Sequence, residues 1–188
     1  MCPQEGGATI AASGHASRQQ DDLLAFIEEL GLTFESQGVP RMAGRILGAL
    51  LVAEPPEQSA DDLMRTLHAS RSSVSTMTRL LEKADYLERI GKPGDRRLYY
   101  RARPDMWHQR TLDSLSPMRS LRHLAEKGLR LTARASPEAR RALIDMYQFL
   151  AYWERALPQM IEGWTTARER GELPPAPGEP GASDGHRP

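Results

Sequence analysis

The sequence predicts a mainly α-helical fold with one small β-ribbon, and three observations carry that prediction. Apolar residues recur every three or four positions over most of residues 20–170, the period of helices that bury one face. The pattern breaks at Tyr86–Arg101, where two short runs flank the turn-forming Gly91-Lys92-Pro93-Gly94, as in a β-hairpin. Just before the hairpin stand two short helical segments joined only by His68-Ala69. Two helices at a tight turn followed by a β-ribbon make a winged helix-turn-helix. The expected architecture is therefore mainly α with a small β-wing, a winged helix-turn-helix domain plus an α-helical dimerisation region.

Composition sets the boundaries. Residues 1–19 are rich in Gly, Ala, Ser and Gln, and residues 171–188 in Pro and Gly, so both are expected to be disordered tails. Between them, residues 20–103 are assigned to the DNA-binding domain and 104–170 to the dimerisation region, with the first helix able to join the latter. Cys2 is the only cysteine and the five histidines are scattered, which excludes an intrachain disulfide and offers no metal-ligand spacing. No secretory leader and no membrane-spanning run is read, so a cytoplasmic protein without cofactor or membrane partner is expected.

The helices follow in order. Asp21 or Asp22 can cap a first helix carrying Leu23, Leu24, Ile27, Leu30 and Phe34. Gly38-Val39-Pro40 breaks it, and a second runs through Met42, Ile46, Leu47, Leu50 and Leu51, with Gly44 and Gly48 permitting close approach of a neighbour. Pro55-Pro56 ends that helix, and Ser59 caps a third with Asp62 completing a capping box. Ser70 caps the fourth, RSSVSTMTRLLEK, whose Val74, Met77 and Leu81 face inward with Thr78 and Leu80 flanking. Pro104 opens a fifth helix that Pro117 kinks or interrupts. Ser136-Pro137 opens the last, where Leu143, Met146, Leu150, Trp153, Leu157, Met160 and Trp164 alternate by three and four. That seam has the heptad period of a helical interface and is assigned to the dimer contact, with Pro158 expected to bend it.

A net charge of zero conceals a polar distribution. Gln20–Ala69 holds nine acidic and three basic residues, whereas Arg71–Arg103 holds nine basic and four acidic. Clustering, not the total, attracts phosphate. The fourth helix turns Ser70, Arg71, Ser72, Ser73, Ser75, Thr76 and Arg79 outward, short hydroxyls and guanidinium forks of the kind that reach base edges and phosphates. A merely solvated face would carry Glu and Lys, which are absent before Glu82. In the hairpin, strand alternation puts Leu98 and Tyr100 on one face and Asp95, Arg97, Tyr99 and Arg101 on the other. Asp95 can thus aim Arg97, with Lys92 and Arg96 alongside.

These residues resemble the MarR superfamily of bacterial winged-helix regulators, most closely its GbsR-like branch. The match covers residues 38–107, with Gly38-Val39-Pro40-Arg41, Ser70 to Ser75 and Gly94-Asp95-Arg96-Arg97 as its most specific parts. The resemblance implies a homodimeric repressor on a pseudo-palindromic operator, its recognition helix in the major groove and its wing at the minor groove or flanking phosphates. It also implies modulation by a small-molecule effector. Asp85 departs from the family pattern, which commonly places Gly at the end of the recognition helix. Trp107, Tyr147, Tyr152 and Trp153 are the candidate effector-pocket residues, since aromatic faces can hold quaternary ammonium groups. The competing readings are a winged-helix protein-interaction module and a non-specific DNA-binding protein. An enzyme is not expected, because no nucleophile–base pair, paired carboxylates or phosphate loop occurs.

Overall fold

A computed structural model describes residues 8–177, with side chains from Arg18 onward. The chain divides after Trp107 into two compact units. The first contains α1 (Ala8–Ser36), α2 (Arg41–Leu51), β1 (Gln58–Ser59), α3 (Ala60–Leu67), α4 (Arg71–Lys83), β2 (Leu87–Gly91) and β3 (Leu98–Ala102). The division falls within α5 (Met106–Asp113), and the second unit continues with α6 (Leu115–Leu131) and α7 (Pro137–Glu169). The mainly α class with a small β-wing is what the sequence predicts.

Two boundaries differ from expectation. α1 begins at Ala8, inside the segment expected to be a disordered tail; residues 1–7 lie outside the described residues. Alanine is the strongest helix former and favours this extension without any apolar period. At the other end residues 171–177 carry no helix or strand, and the rest of the expected tail lies outside the described residues. The helix break near residue 114 precedes Pro117, which sits in the first turn of α6, where a missing N–H is no loss.

The first unit is built around a close helix crossing. A Cβ on Gly44 would lie 2.7 Å from the Leu30 carbonyl oxygen and 2.8 Å from Phe34 Cβ, and one on Gly48 3.2 Å from Ile27 Cα. α1 and α2 therefore meet backbone to backbone, and Gly38 at φ +79° makes the turn between them. Glu28 of α1 receives Arg41 at 2.9 Å and Arg45 at 2.7 Å, while Arg45 also donates to the Leu67 carbonyl at the end of α3. Ile46, Leu47, Leu63, Leu67, Val74, Leu81 and Leu87 are fully buried, and Tyr100 and Met106 complete the cluster. Those side chains come from α2, α3, α4, the sheet and the start of α5, so burial locks the helix-turn-helix to the wing.

The sheet has three strands, not the two of a simple hairpin. Its order is β1-β3-β2, all antiparallel, with Gln58 opposite Tyr100, Ser59 opposite Tyr99 and Arg89 opposite Tyr100. The short β1 gives β3 a partner on its second edge and ties the wing to the start of α3.

In the second unit α6 and α7 form an antiparallel hairpin. Glu154 of α7 accepts from Arg119 at 2.9 Å and Arg122 at 2.7 Å, and Gly128 of α6 leaves room for Leu143. Ser136 caps α7 by accepting from the Ala139 N–H, with Pro137 at the first helical position. α7 continues through Pro158 to Glu169.

Candidate nucleic-acid interface

The interface is assembled from caps. Ser59 accepts from the Asp62 N–H at 3.2 Å while Asp62 accepts from the Ser59 N–H at 2.9 Å and its hydroxyl at 2.6 Å, a closed capping box. Those bonds from Ser59 hold the Asp62 carboxyl below its ordinary range. α3 ends at His68, which takes the left-handed conformation at φ +49°, and the Ala69 N–H returns to the Met64 carbonyl. Ser70 then caps α4 by accepting from the Ser73 N–H at 3.2 Å. Two caps and one left-handed residue thus fix the angle between the helices.

α4 buries Val74, Thr78 and Leu81. Thr78, expected only to flank the apolar face, is its centre: the hydroxyl donates to the Val74 carbonyl at 2.9 Å, satisfying the buried polar group. Met77 is half-buried and Leu80 exposed. On the other side Arg71, Ser72, Thr76 and Arg79 are exposed, and Ser73 and Ser75 half-buried. Arg79 donates to the Ser75 hydroxyl at 2.8 Å. After the helix Asp85 takes φ +56°, a conformation that Asp tolerates better than most residues, and Arg103 pairs with it at 3.2 Å.

The wing is more ordered than a basic loop needs to be. Asp95 accepts from the Arg97 backbone N–H at 2.9 Å, from Arg97 Nε at 3.0 Å and Nη2 at 2.8 Å, and from the Tyr99 hydroxyl at 2.8 Å. The Arg97 guanidinium holds the Asp95 carboxyl far below the usual carboxylate range, and Asp95 in turn pushes the Tyr99 hydroxyl up. Lys92 lies 4.2 Å over the Tyr99 ring and 3.5 Å from Glu57. Tyr99 is thereby buried on the charged side of the ribbon, while Leu98 stands 51% exposed. Strand alternation placed both residues on their faces but gave no sign of this inversion.

Between α3, α4 and the wing runs a groove of about 360 Å³, lined by Ser59, Ala60, Asp61, Arg71, Ser75, Arg96, Arg97, Leu98 and Tyr100. It brings the start of the recognition helix and the arginines of the wing onto one surface. Among the described residues Arg79, Lys83 and Arg96 form no ion pair, whereas Arg71, Lys92 and Arg97 are held by Asp61, Glu57 and Asp95. Glu57 and Asp61 carry no periodic signal in the sequence and become visible only through these pairs.

The remaining candidates separate. In the first unit Trp107 packs edge-on to Tyr86 at 6.1 Å. In the second, Tyr147 is half-buried, Trp153 stacks on Phe149 at 6.3 Å, and Tyr152 is exposed. The heptad seam also splits. Leu150 and Leu157 are buried within the single chain, Leu143, Met146 and Trp164 are half-buried, and Trp153 and Met160 are exposed. No helix of the described residues is long and apolar enough to cross a membrane.

Comparison with known proteins places this architecture. A family model described as "MarR family" matches residues 37–98, and one described as "MmpR5-like MarR family transcriptional regulator" matches residues 105–169. The HTH-type transcriptional regulator MmpR5 of Mycobacterium tuberculosis (strain ATCC 25618 / H37Rv) is 38% identical over 142 residues, covering 76% of this chain and 86% of the relative. A crystal structure of a transcriptional regulator is 36% identical and covers 77% of this chain and 99% of its own, with a TM-score of 0.65. The branch these matches print is MmpR5-like; the likeness to the GbsR-like branch gains no support from them. Taken with the capped helix pair and the wing, these matches establish that the chain belongs to the MarR family, winged-helix DNA-binding transcriptional regulators and not enzymes.

Proposed function

We propose that this regulator acts as a homodimeric, sequence-specific repressor on a pseudo-palindromic operator. In this reading Ser70, Arg71, Ser72, Ser73, Ser75, Thr76 and Arg79 face the major groove, and Lys92, Arg96 and the Asp95-aimed Arg97 meet the minor groove or its flanking phosphates. The observation that carries it is the Asp95–Arg97–Tyr99 network, which fixes a guanidinium on an exposed wing without contributing to the core. Preorganising a cation in this way lowers the ordering cost of binding. The test is Arg97→Ala: affinity for operator and random DNA should both fall, and the slope of log affinity against log salt should drop by about one. Unchanged affinity and slope would remove the wing from the interface. Competition by random DNA separates a sequence-specific regulator from a non-specific binder.

The dimer reading is supported by apolar residues left exposed on the α6–α7 hairpin: Leu124, Leu131, Phe149, Tyr152, Trp153 and Met160. A patch of this kind on a single chain marks a binding surface. The buried Leu150 and Leu157 belong to the chain's own packing, so the proposed interface moves from them to this neighbouring arc. Small-molecule modulation belongs to the same reading, and a thermal-shift screen with choline, betaine and small aromatic acids tests it. Action on DNA is consistent with the expected cytoplasmic location.

A further inference from the structure

The groove between the recognition helix and the wing holds one carboxylate among its lining residues, and that carboxylate occupies the cation best placed to enter DNA. Asp61, in the first turn of α3, accepts from Arg71 Nη2 at 2.7 Å. Arg71 is the first residue of α4, and the same groove is lined by Ser75, Arg96 and Arg97. We propose that Asp61 makes an autoinhibitory contact, an internal stand-in for phosphate that holds Arg71 until DNA replaces it. This inference rests on the DNA-facing reading of α4 given above.

The two aspartate–arginine pairs of this surface differ in kind. Asp95 accepts from three donors of Arg97, its backbone N–H, Nε and Nη2, and from the Tyr99 hydroxyl, so Arg97 is gripped by an acceptor that is itself fixed. The Arg71–Asp61 contact runs through one guanidinium nitrogen, and its side chains are 72% and 55% exposed. Such a pair is weak and exchanges with solvent and competing anions. Arg97 is thus positioned by its partner, whereas Arg71 is only occupied by its own.

Occupation sets the affinity. Arg71 must leave a carboxylate before it touches DNA, so the pair in the free protein lowers the fraction of chains ready to bind. The pair is broken in the same way whichever duplex takes Arg71. Asp61 therefore weakens binding to operator and random DNA by about the same factor. The other carboxylates nearby are already taken: Asp62 by Ser59 and Arg65, and Glu57 by Lys92 and Arg101.

The test is a double-mutant cycle on the full chain, with operator and random duplexes titrated at several salt concentrations. Asp61→Asn keeps the shape of the side chain and leaves the Ser59–Asp62 cap in place. It should raise affinity for operator and random DNA alike by about two- to fivefold, the scale of a released exposed pair. In an Arg71→Ala background the same change should be silent. Unchanged affinity in Asp61→Asn, or an equal gain with and without Arg71, would overturn the proposal. If Arg71→Ala itself leaves DNA affinity unchanged, the DNA-facing reading of this end of α4 fails instead. Circular dichroism melts of each variant confirm that α3 remains folded.

Discussion

The two units of this chain solve burial in opposite ways. The first closes a core from several elements, with seven large side chains of α2, α3, α4 and the sheet fully buried. The second buries Leu115, Ala125, Leu150 and Leu157 and leaves Leu124, Leu131, Phe149, Tyr152 and Met160 exposed. Two helices alone can bury only one stripe of each. The difference lies in the core and not in the surface: the first unit closes several elements round one cluster, the second packs a single stripe, and both leave apolar side chains exposed, Leu23, Leu24, Phe26 and Leu32 of α1 among them.

The sharpest way to break this comparison is to weaken the unit with the larger core. Leu47→Ala removes a fully buried side chain from α2 and should cost about 2–5 kcal/mol in urea unfolding. A cost below about 1 kcal/mol would mean that the core is less closed than its burial implies. Next comes the second unit. Phe149→Glu together with Met160→Glu should yield monomers by sedimentation, retain helical circular dichroism and lose about a hundredfold or more in operator affinity, since the two half-sites would no longer be held together. A dimer of unchanged mass would place the interface elsewhere.

Smaller effects sharpen the contrast within the first unit. Asp95→Ala leaves Arg97 present but unaimed and should weaken operator binding by about three- to tenfold, close to the loss of Arg97 itself, if preorganisation is what matters. Smallest is the cap. Ser59→Ala should destabilise by about 1 kcal/mol, measured by chemical denaturation. Because Ser59 lowers the folded-state carboxyl pKa of Asp62, the capping contribution is present above the unfolded carboxylate range near about 4 and is lost as pH falls through the folded value. The difference between wild type and Ser59→Ala should therefore be constant from pH 7 to about 5 and shrink at more acidic pH. A difference that grew on acidification would have the wrong sign.

Much of the first unit was legible because its punctuation is chemical. Ser59, Ser70 and Ser136 all cap where the sequence places them, and Gly44 and Gly48 mark a close crossing. The pairing of Asp95 with Arg97 is read from strand alternation, yet both residues precede β3, and the bond from the Arg97 N–H to Asp95 makes the contact a turn. β1 was not legible, since two residues cannot display a period; its strand character comes from the edge of β3 that it covers. The helical start of α1 was hidden by a composition that reads as tail. The heptad seam of α7 was legible as apolar but not as belonging to one contact. One-dimensional spacing cannot separate Leu150, buried by its own chain, from Met160, left outside. Thr78 and Met77 traded places for a similar reason: a threonine whose hydroxyl bonds back to its own helix is effectively apolar toward its neighbours.

The glycine crossing of α1 and α2 has a mechanical consequence. Most helix pairs meet through side chains, which can change rotamer and absorb a displacement. At Gly44 the backbones of α1 and α2 touch directly, with the Leu30 carbonyl and Gly31 Cα against the space a side chain would fill. No compliant layer lies between them, and packed interiors yield little under load. The 29 residues of α1, about 43 Å at helical rise, therefore work as a lever rigidly joined to the core that carries the recognition helix. A tilt imposed anywhere along that rod is delivered to α2 undamped.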